Sequence, residues 1–299
     1  MPYVIGIDAG GTKTVGLLAD DAGEVQSKAI AGGANLLVKG ELAVEKVLFD
    51  VIENLEAPEP LGALCIGIAG VSQPGADQVI RDVLRRLGQR QPIRVVHDAL
   101  VALVAGAPDG IGIVIAAGTG SIAYGVDPGG NEARAGGWGY LLGDEGSAFW
   151  LGHYALRHAI RAADGRGIAT TLYPLICEKL DVAEPRQLVQ WFYDQELSRN
   201  RVADLASLVE IASADGDEAA ETLMDQAAKH LASAARAVSN HLDFPGRHPV
   251  VLSGGAFKAC PSLADRIDAL LADLPDVEVR LLEVEPAMGA VTLALELLQ

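Results

Sequence analysis

Apolar and polar positions alternate in blocks along this chain, and the first two apolar blocks set its plan. Tyr3 to Ile7 and Val15 to Ala19 are runs of strand length flanking Asp8-Ala9-Gly10-Gly11-Thr12-Lys13-Thr14, which predicts a hairpin. Glu24 to Ile30 predicts a third strand, and Ala31-Gly32-Gly33-Ala34-Asn35 a loop. Val44, Val47, Leu48, Val51, Ile52 and Leu55 recur at steps of three and four, so a helix is expected from about Glu41 to Leu55, ended by Pro58 and Pro60. Leu61 to Ala69 is nearly continuous in apolar residues, as in a strand buried on both faces. Val79, Ile80, Val83, Leu84 and Leu87 mark a second helix, and Ile93 to Val96 a fifth strand that stops at His97-Asp98. Three antiparallel strands followed by strands alternating with helices predict an α/β layered domain.

From Gly110 the plan restarts. Ile111 to Ala117 reads as a strand, Gly118-Thr119-Gly120-Ser121 as a turn and Ile122 to Val126 as a second strand. The strand, glycine turn, strand order of the opening is thereby repeated. Gly136 to Ser147 is glycine-rich and opens a helix reaching about Ala163. Helices are expected at Leu172 to Leu180, Pro185 to Tyr193 and about Asp217 to Leu242, the last with Leu223, Ala227, Leu231, Ala234, Val238 and Leu242 on one face. The acidic stretch Asp215 to Glu221 suits the dipole at a solvated helix start and carries no site. Val250 to Ser253 is a strand ending in Gly254-Gly255, a helix with Leu263, Ile267, Leu270 and Leu271 follows, and Val277 to Leu282 and Ala287 to Leu298 supply a last strand and helix. The turn Gly106 to Gly110 is the natural boundary between two domains.

Composition narrows the partners. The 299 residues are enough for two cores, and half of them are apolar. A net charge of -17 argues against nucleic acid and anionic membranes, because such a surface lacks the clustered Lys and Arg that release phosphate counterions. It does not argue against a nucleotide, which needs only a local site and a metal. Cys65, Cys177 and Cys260 are odd in number and far apart, forming neither a disulfide framework nor a metal pattern. No basic leader precedes the opening Pro2-Tyr3-Val4, and no apolar stretch approaches a membrane span, so a reducing cytoplasm is the expected location.

Four stretches carry candidate chemistry. In the opening hairpin, Gly10 and Gly11 permit a backbone turn with φ above zero and bring peptide N–H groups to an anion, with Thr12, Lys13 and Thr14 adding hydroxyls and charge. Asp8 conflicts with a phosphate there unless Mg²⁺ bridges the two. A plain Gly-Gly hairpin is the alternative, and a Walker A loop is excluded because Thr12 stands where that loop requires Lys. Asp98, directly after a strand, either positions an attacking hydroxyl for phosphoryl transfer or caps the helix that follows. Asp144 and Glu145 are likewise helix caps or polyol ligands, with Trp138 read as packing. Gly254-Gly255 is an adenine-facing turn or an ordinary strand-to-helix turn. His153 and His158, five apart, have the wrong spacing to share a metal.

Gly6 to Thr14, Asp98-Ala99, Gly118 to Ser121, Gly136-Gly137-Trp138-Gly139 through Gly143-Asp144-Glu145-Gly146-Ser147-Ala148-Phe149-Trp150, and Ser253-Gly254-Gly255 follow in an order that resembles the BadF/BadG/BcrA/BcrD-type ATPase family, within it the N-acetylglucosamine kinases. The resemblance covers nearly the whole chain, and Gly136 to Trp150 is its most specific part. It implies an actin/hexokinase/Hsp70-like α/β architecture of two ribonuclease-H-like lobes with an interlobe cleft: residues 1–107 and 108–285, with the C-terminal helix 286–299 packing back on the first. It also implies an ATP-dependent kinase for the 6-hydroxyl of N-acetylglucosamine or glucosamine, with ATP and Mg²⁺ as cofactors, a small-molecule sugar as partner and room for a homodimer. Carried over position by position, Asp8 resembles the Mg²⁺-organising carboxylate. Gly10, Gly11, Thr12 and Lys13 with Gly118, Thr119, Gly120 and Ser121 resemble the phosphate loops, and Gly254 and Gly255 the adenosine turn. Asp98 matches the catalytic base, while Asn35, Gly137, Asp144 and Ala148 match sugar-binding positions. Ile122 departs from the pattern, since the animal enzymes carry Asn after the Gly-Thr-Gly-Ser turn. The same broad family includes ATPases that activate dehydratases, but the three cysteines occupy none of the glycine-flanked positions that a bridging iron–sulfur cluster requires. A non-catalytic nucleotide-binding module is the other alternative.

Overall fold

Backbone pairing joins the first apolar runs into an antiparallel hairpin of β1 (Tyr3–Ala9) and β2 (Lys13–Ala19), with Ile5 opposite Leu18 and Ala9 opposite Thr14. The structure is a computed structural model describing residues 2–58, 60–71, 73–194, 198–274 and 276–299. β3 (Val25–Gly32) continues the antiparallel ladder on β2, while β4 (Leu61–Ile68) and β5 (Ile93–His97) add in parallel beyond β1. The resulting order is β3-β2-β1-β4-β5.

Side chains alternate across the first sheet, as a period of two requires. Ile5 and Ile7 enter a core with Leu48 and Val51 of α2 (Glu41–Asn54) and Ile80, Val83 and Leu84 of α3 (Ala76–Arg86). Val4, Val15 and Leu17 enter a second core, with Val101 and Val104 of α4 (Asp98–Gly106) and Ala290, Val291 and Ala294 of the last α-helix, Ala287–Leu295. A sheet covered on both faces explains the unbroken apolar run of β4. A single helical turn, α1 (Leu36–Lys39), occupies part of the stretch between β3 and α2; at four residues it is too short for periodicity to reveal.

The second sheet is built from β6 (Gly112–Ala117), β7 (Ser121–Val126), β8 (Glu132–Gly136), β9 (His248–Ser253) and β10 (Val277–Leu281), in the order β10-β9-β6-β7-β8. Taken by position, this is the order of the first sheet again, so the glycine-turn restart at Gly110 marks a repeated sheet plan. β8, Glu-Ala-Arg-Ala-Gly, alternates charged residues only with alanine and ends in glycine, a pattern too short and too weakly apolar to be legible as a strand. The helices between β8 and β9 are α5 (Ala148–Ala163), α6 (Leu172–Leu180), α7 (Pro185–Phe192), α8 (Arg199–Ala203), α9 (Ala206–Ala214) and α10 (Glu218–Ser239). Between β9 and β10 lie α11 (Gly255–Ala259) and α12 (Ser262–Leu271), and α13 is the Ala287–Leu295 helix.

Contacts divide the chain into two compact units. One comprises the residues up to Val114 with Gly125–Asn131 and Leu282–Gln299, the other Ile115–Tyr124 with Glu132–Leu281. The start of α10 corrects the reading of Asp215 to Glu221 as solvated. Asp217 is a buried cap that accepts bonds from the Ala220 N–H at 3.0 Å, the Thr171 N–H at 2.6 Å and both the Thr170 and Thr171 hydroxyls. Burial works to raise its carboxyl, and these donors outweigh it and hold it below the ordinary range. Among the described residues no helix is long and apolar enough to cross a membrane.

Candidate functional site

In the first unit, Asp8 near the carboxyl end of β1 and Asp98 just beyond β5 flank the end of β4, because Asp8 is in register with Gly67 and Ile68 with His97. The carboxyl ends of parallel strands are where α/β sheets present ligand-binding groups. Burial first, then the negative fields of Asp98 and Glu285, push the Asp8 carboxyl up to about 7 against the opposing pull of Lys13. Asp8 has no ion-pair partner among the described residues. Glu285, from the segment leading into α13, pairs with Lys13 Nζ at 3.0 Å and Lys28 Nζ at 2.6 Å. Burial would raise its carboxyl, and the two ammonium groups hold it low instead. Its sequence neighbours are unremarkable, so only the return of the chain to this sheet reveals Glu285.

The hairpin turn differs from expectation in two respects. Neither Gly10 nor Gly11 has positive φ. Close packing accounts for the glycines nearby instead: a Cβ on Gly33 would lie 2.1 Å from the Gly11 carbonyl oxygen, and the Ala34 N–H bonds the Gly10 carbonyl at 2.9 Å. Thr14 is fully buried and its hydroxyl donates to the Gly32 carbonyl at 2.9 Å, so it braces the loop and offers nothing outward. Gly11, Thr12 and Lys13 remain exposed. Asn35 caps α1, its Oδ1 accepting from the Val38 N–H at 3.1 Å. Asp98 is the first residue of α4 rather than its cap; the capping position belongs to His97.

In the second unit, Gly118 to Ser121 joins β6 to β7, closed by a Gly118 N–H to Gly120 carbonyl bond of 2.8 Å. The helix after the glycine-rich segment is capped by Ser147, which accepts from the Trp150 N–H at 3.1 Å, so neither Asp144 nor Glu145 caps it. Asp144 instead sits buried at φ 59°, with Oδ1 accepting from the Ser121 N–H at 3.3 Å. A Cβ on Gly120 would come 2.8 Å from its carboxylate, which explains the small residue there. Burial raises the Asp144 carboxyl, partly offset by the Ser121 N–H and the Arg199 charge. The Ser121 hydroxyl is committed to the Glu145 carbonyl at 2.8 Å, and the Thr119 hydroxyl to Asn200 at 3.0 Å. Asn200, in a region with no sequence signal, is therefore a support that the chain alone does not disclose.

Gly137, at φ 71°, lies directly over Ile122, with room for no side chain between them. Ala148 is the buried first residue of α5. Trp138 is not core: it is 62% exposed, with the Arg134 guanidinium 4.8 Å above its ring. His153 stacks on Phe192 with ring centroids 5.5 Å apart, a packing role. Gly254 and Gly255 follow β9, both exposed; Gly254 takes φ 117° and its missing Cβ would fall 2.2 Å from the Ala117 carbonyl oxygen, while Gly255 has open space.

The raised Asp8 carboxyl gives a stability prediction. Its ordinary value is 3.8, so the folded state holds the proton more tightly than the unfolded chain between 3.8 and about 7. The unfavourable contribution is absent below about 3.8 and complete above about 7. In EDTA, Asp8→Asn is expected to stabilise the protein at pH 8 by roughly 2–4 kcal/mol and to have no such effect at pH 3.5. Urea melts of both proteins at the two pH values measure it; equal effects at both would show that Asp8 is not strained by ionisation.

A sequence model of the BadF/BadG/BcrA/BcrD ATPase family matches residues 5–294. The N-acetylmuramic acid/N-acetylglucosamine kinase of Clostridium acetobutylicum is 33% identical over 98% of this chain and 98% of its own. The N-acetyl-D-glucosamine kinase of Dictyostelium discoideum is 30% identical, covering 97% of each. A solved structure, the provisionally named N-acetylglucosamine kinase of Chromobacterium violaceum, superposes with a TM-score of 0.74 at 27% identity, over 100% of this chain and 99% of the other.

Proposed function

The chain belongs to the BadF/BadG/BcrA/BcrD ATPase family, and from that premise we propose that it is an ATP-dependent amino-sugar kinase acting on the 6-hydroxyl of N-acetylglucosamine or glucosamine. The observation that carries the reading is the pair of carboxylates at the ends of β1 and β5: one partly buried and raised to about 7, the other at the start of a helix. Phosphoryl transfer needs a carboxylate that organises a metal and a second that receives the acceptor's proton.

Asp98 takes the second role. It accepts the sugar hydroxyl proton as the oxygen attacks the γ-phosphate, and orients that oxygen in line. Asp8 takes the first. A carboxylate crowded by two other acids and lacking an ion-pair partner suits a hard divalent cation. Among the described residues no three His, Cys, Asp or Glu side chains gather as a metal site, so phosphate oxygens and water would complete the shell of Mg²⁺. When bound, the metal neutralises charge on the transferring phosphoryl group. Gly10, Gly11, Thr12 and Lys13 in the first unit and Gly118, Thr119, Gly120 and Ser121 in the second form the phosphate turns; the N–H groups of Gly10, Gly118 and Ser121 brace the turns from within, and the remaining residues supply the donors. Gly254 and Gly255 serve the adenosine, and Asn35, Gly137, Asp144 and Ala148 the sugar.

Purified protein with Mg-ATP and a panel of N-acetylglucosamine, glucosamine, N-acetylmuramate and glucose tests the reading. ADP release dependent on an amino sugar is expected, with the phosphate on carbon 6 by NMR. Sugar-independent hydrolysis, or no release with any acceptor, would overturn it. N-Acetylmuramate is included because the Clostridium relative is named for it as well.

A further inference from the structure

We propose that His97 is the positioning residue of Asp98, holding that carboxylate through a hydrogen on Nδ1 so that Oδ2 is the oxygen presented to the acceptor hydroxyl; this rests on the kinase reading above. Three atoms carry it. His97 Nδ1 lies 2.9 Å from Asp98 Oδ1, and the Ala99 N–H lies 3.1 Å from that nitrogen and 3.0 Å from the same oxygen. The side chains are shielded, His97 being 16% exposed and Asp98 27%.

Two hydrogen arrangements fit these positions, and they differ in physics. If His97 caps α4 by accepting the Ala99 N–H, Nδ1 is bare and faces a carboxylate oxygen 2.9 Å away with no hydrogen between the two electron-rich atoms, which is repulsive. If Nδ1 carries hydrogen, it donates to Oδ1 at an ordinary bond length, and the Ala99 N–H donates to Oδ1 as well, its nearer acceptor. The second arrangement satisfies both donors with one oxygen and leaves no opposed lone pairs. It applies to neutral and protonated imidazole alike. A hydrogen bond to one oxygen of a catalytic carboxylate fixes its torsion, which is the geometric precision that near-attack positioning demands.

Which ring nitrogen carries the hydrogen decides between the arrangements without any substrate. In the ¹⁵N-imidazole spectrum of the purified chain at pH 8, His97, assigned by comparison with His97→Asn, is expected to show a protonated Nδ1. A bare Nδ1 with hydrogen on Nε2 alone overturns the proposal, whatever the enzyme's acceptor. Kinetics then read the consequence. His97→Asn places an amide N–H where Nδ1 stood and should keep kcat within about threefold, whereas His97→Ser retains a capping hydroxyl but falls short of Asp98. The serine variant should lose at least about tenfold in kcat, with KM for both substrates within about twofold. Equal kcat in the serine and asparagine variants would mean that His97 only caps the helix. If no sugar is phosphorylated by the unaltered protein, the kinase reading fails while the spectrum still decides the Nδ1 assignment.

Discussion

Asp98→Asn is expected to lower kcat by about 10²- to 10⁴-fold, the usual range for removing a positioned general base, with KM for sugar and ATP changed little. The side chain keeps its shape and its place at the start of α4. What is lost is the oxygen charge that receives the hydroxyl proton. Loss of a favourable carboxylate at a helix N-terminus costs only about 0.3–1 kcal/mol, so the protein should remain folded. A second readout separates a chemical loss from a structural one. Asp98 is the leading charge that raises Asp8, so removing it lowers the Asp8 carboxyl, and the stability cost of the substitution in the metal-free protein should be smaller at pH 8 than at pH 3.5. A kcat loss below tenfold would take the base role from Asp98. A large loss accompanied by a destabilisation at pH 8 greater than at pH 3.5 would point to damage at the β5–α4 junction instead.

The sheets were legible in the sequence because strands buried on both faces leave unbroken apolar runs, and β1, β4 and β6 each show one. The second glycine turn disclosed the repeated strand, turn, strand start of that sheet, though not its full order. β8 and α8 escaped because a short element built of Ala, Arg and Glu, or of Arg, Asn and Val, owes its form to tertiary packing rather than to its own pattern. The same distinction runs through the site. Asp8 and Asp98 stand at strand ends, a position that sequence discloses. Glu285 and Asn200 are brought to their partners Lys13 and Thr119 across 272 and 81 residues, and nothing local marks them. Where a residue type served two purposes, the sequence left both open: Asp98 and Asp144 each had the signature of a cap, and neither is one, because His97 and Ser147 hold those positions. Polar residues of the glycine turns were read as facing outward, yet Thr14 and Ser121 spend their hydroxyls on internal carbonyls. Such turns hold their shape from within, and the groups left for a ligand are largely backbone N–H.

That internal bracing makes Gly33 a sharper test of the first turn than the glycines within it. Gly33→Ala is expected to destabilise the protein by roughly 2–4 kcal/mol and to raise KM for ATP at least tenfold, on the order expected for a displaced phosphate loop. Its new Cβ would meet the Gly11 carbonyl oxygen at 2.1 Å and the Thr12 nitrogen at 2.7 Å, both backbone atoms with no rotamer to change. The loop must therefore move away from the Gly32–Ala34 segment, losing the 2.9 Å bond from the Ala34 N–H to the Gly10 carbonyl. Gly11→Ala is the matched control. Its Cβ meets nothing within 4 Å and its φ is not positive, so the fold and melting temperature should be unaltered. If peptide N–H groups of this turn approach a phosphate, the added methyl still obstructs the ligand, and KM for ATP rises with stability intact. Both variants are read by thermal melts and by initial rates against ATP. Unchanged KM in Gly11→Ala would remove the turn from the nucleotide site. Unchanged stability in Gly33→Ala would mean that the contact between the two loops yields without cost, and that the β1–β2 ladder and the Thr14 to Gly32 bond suffice to hold the hairpin.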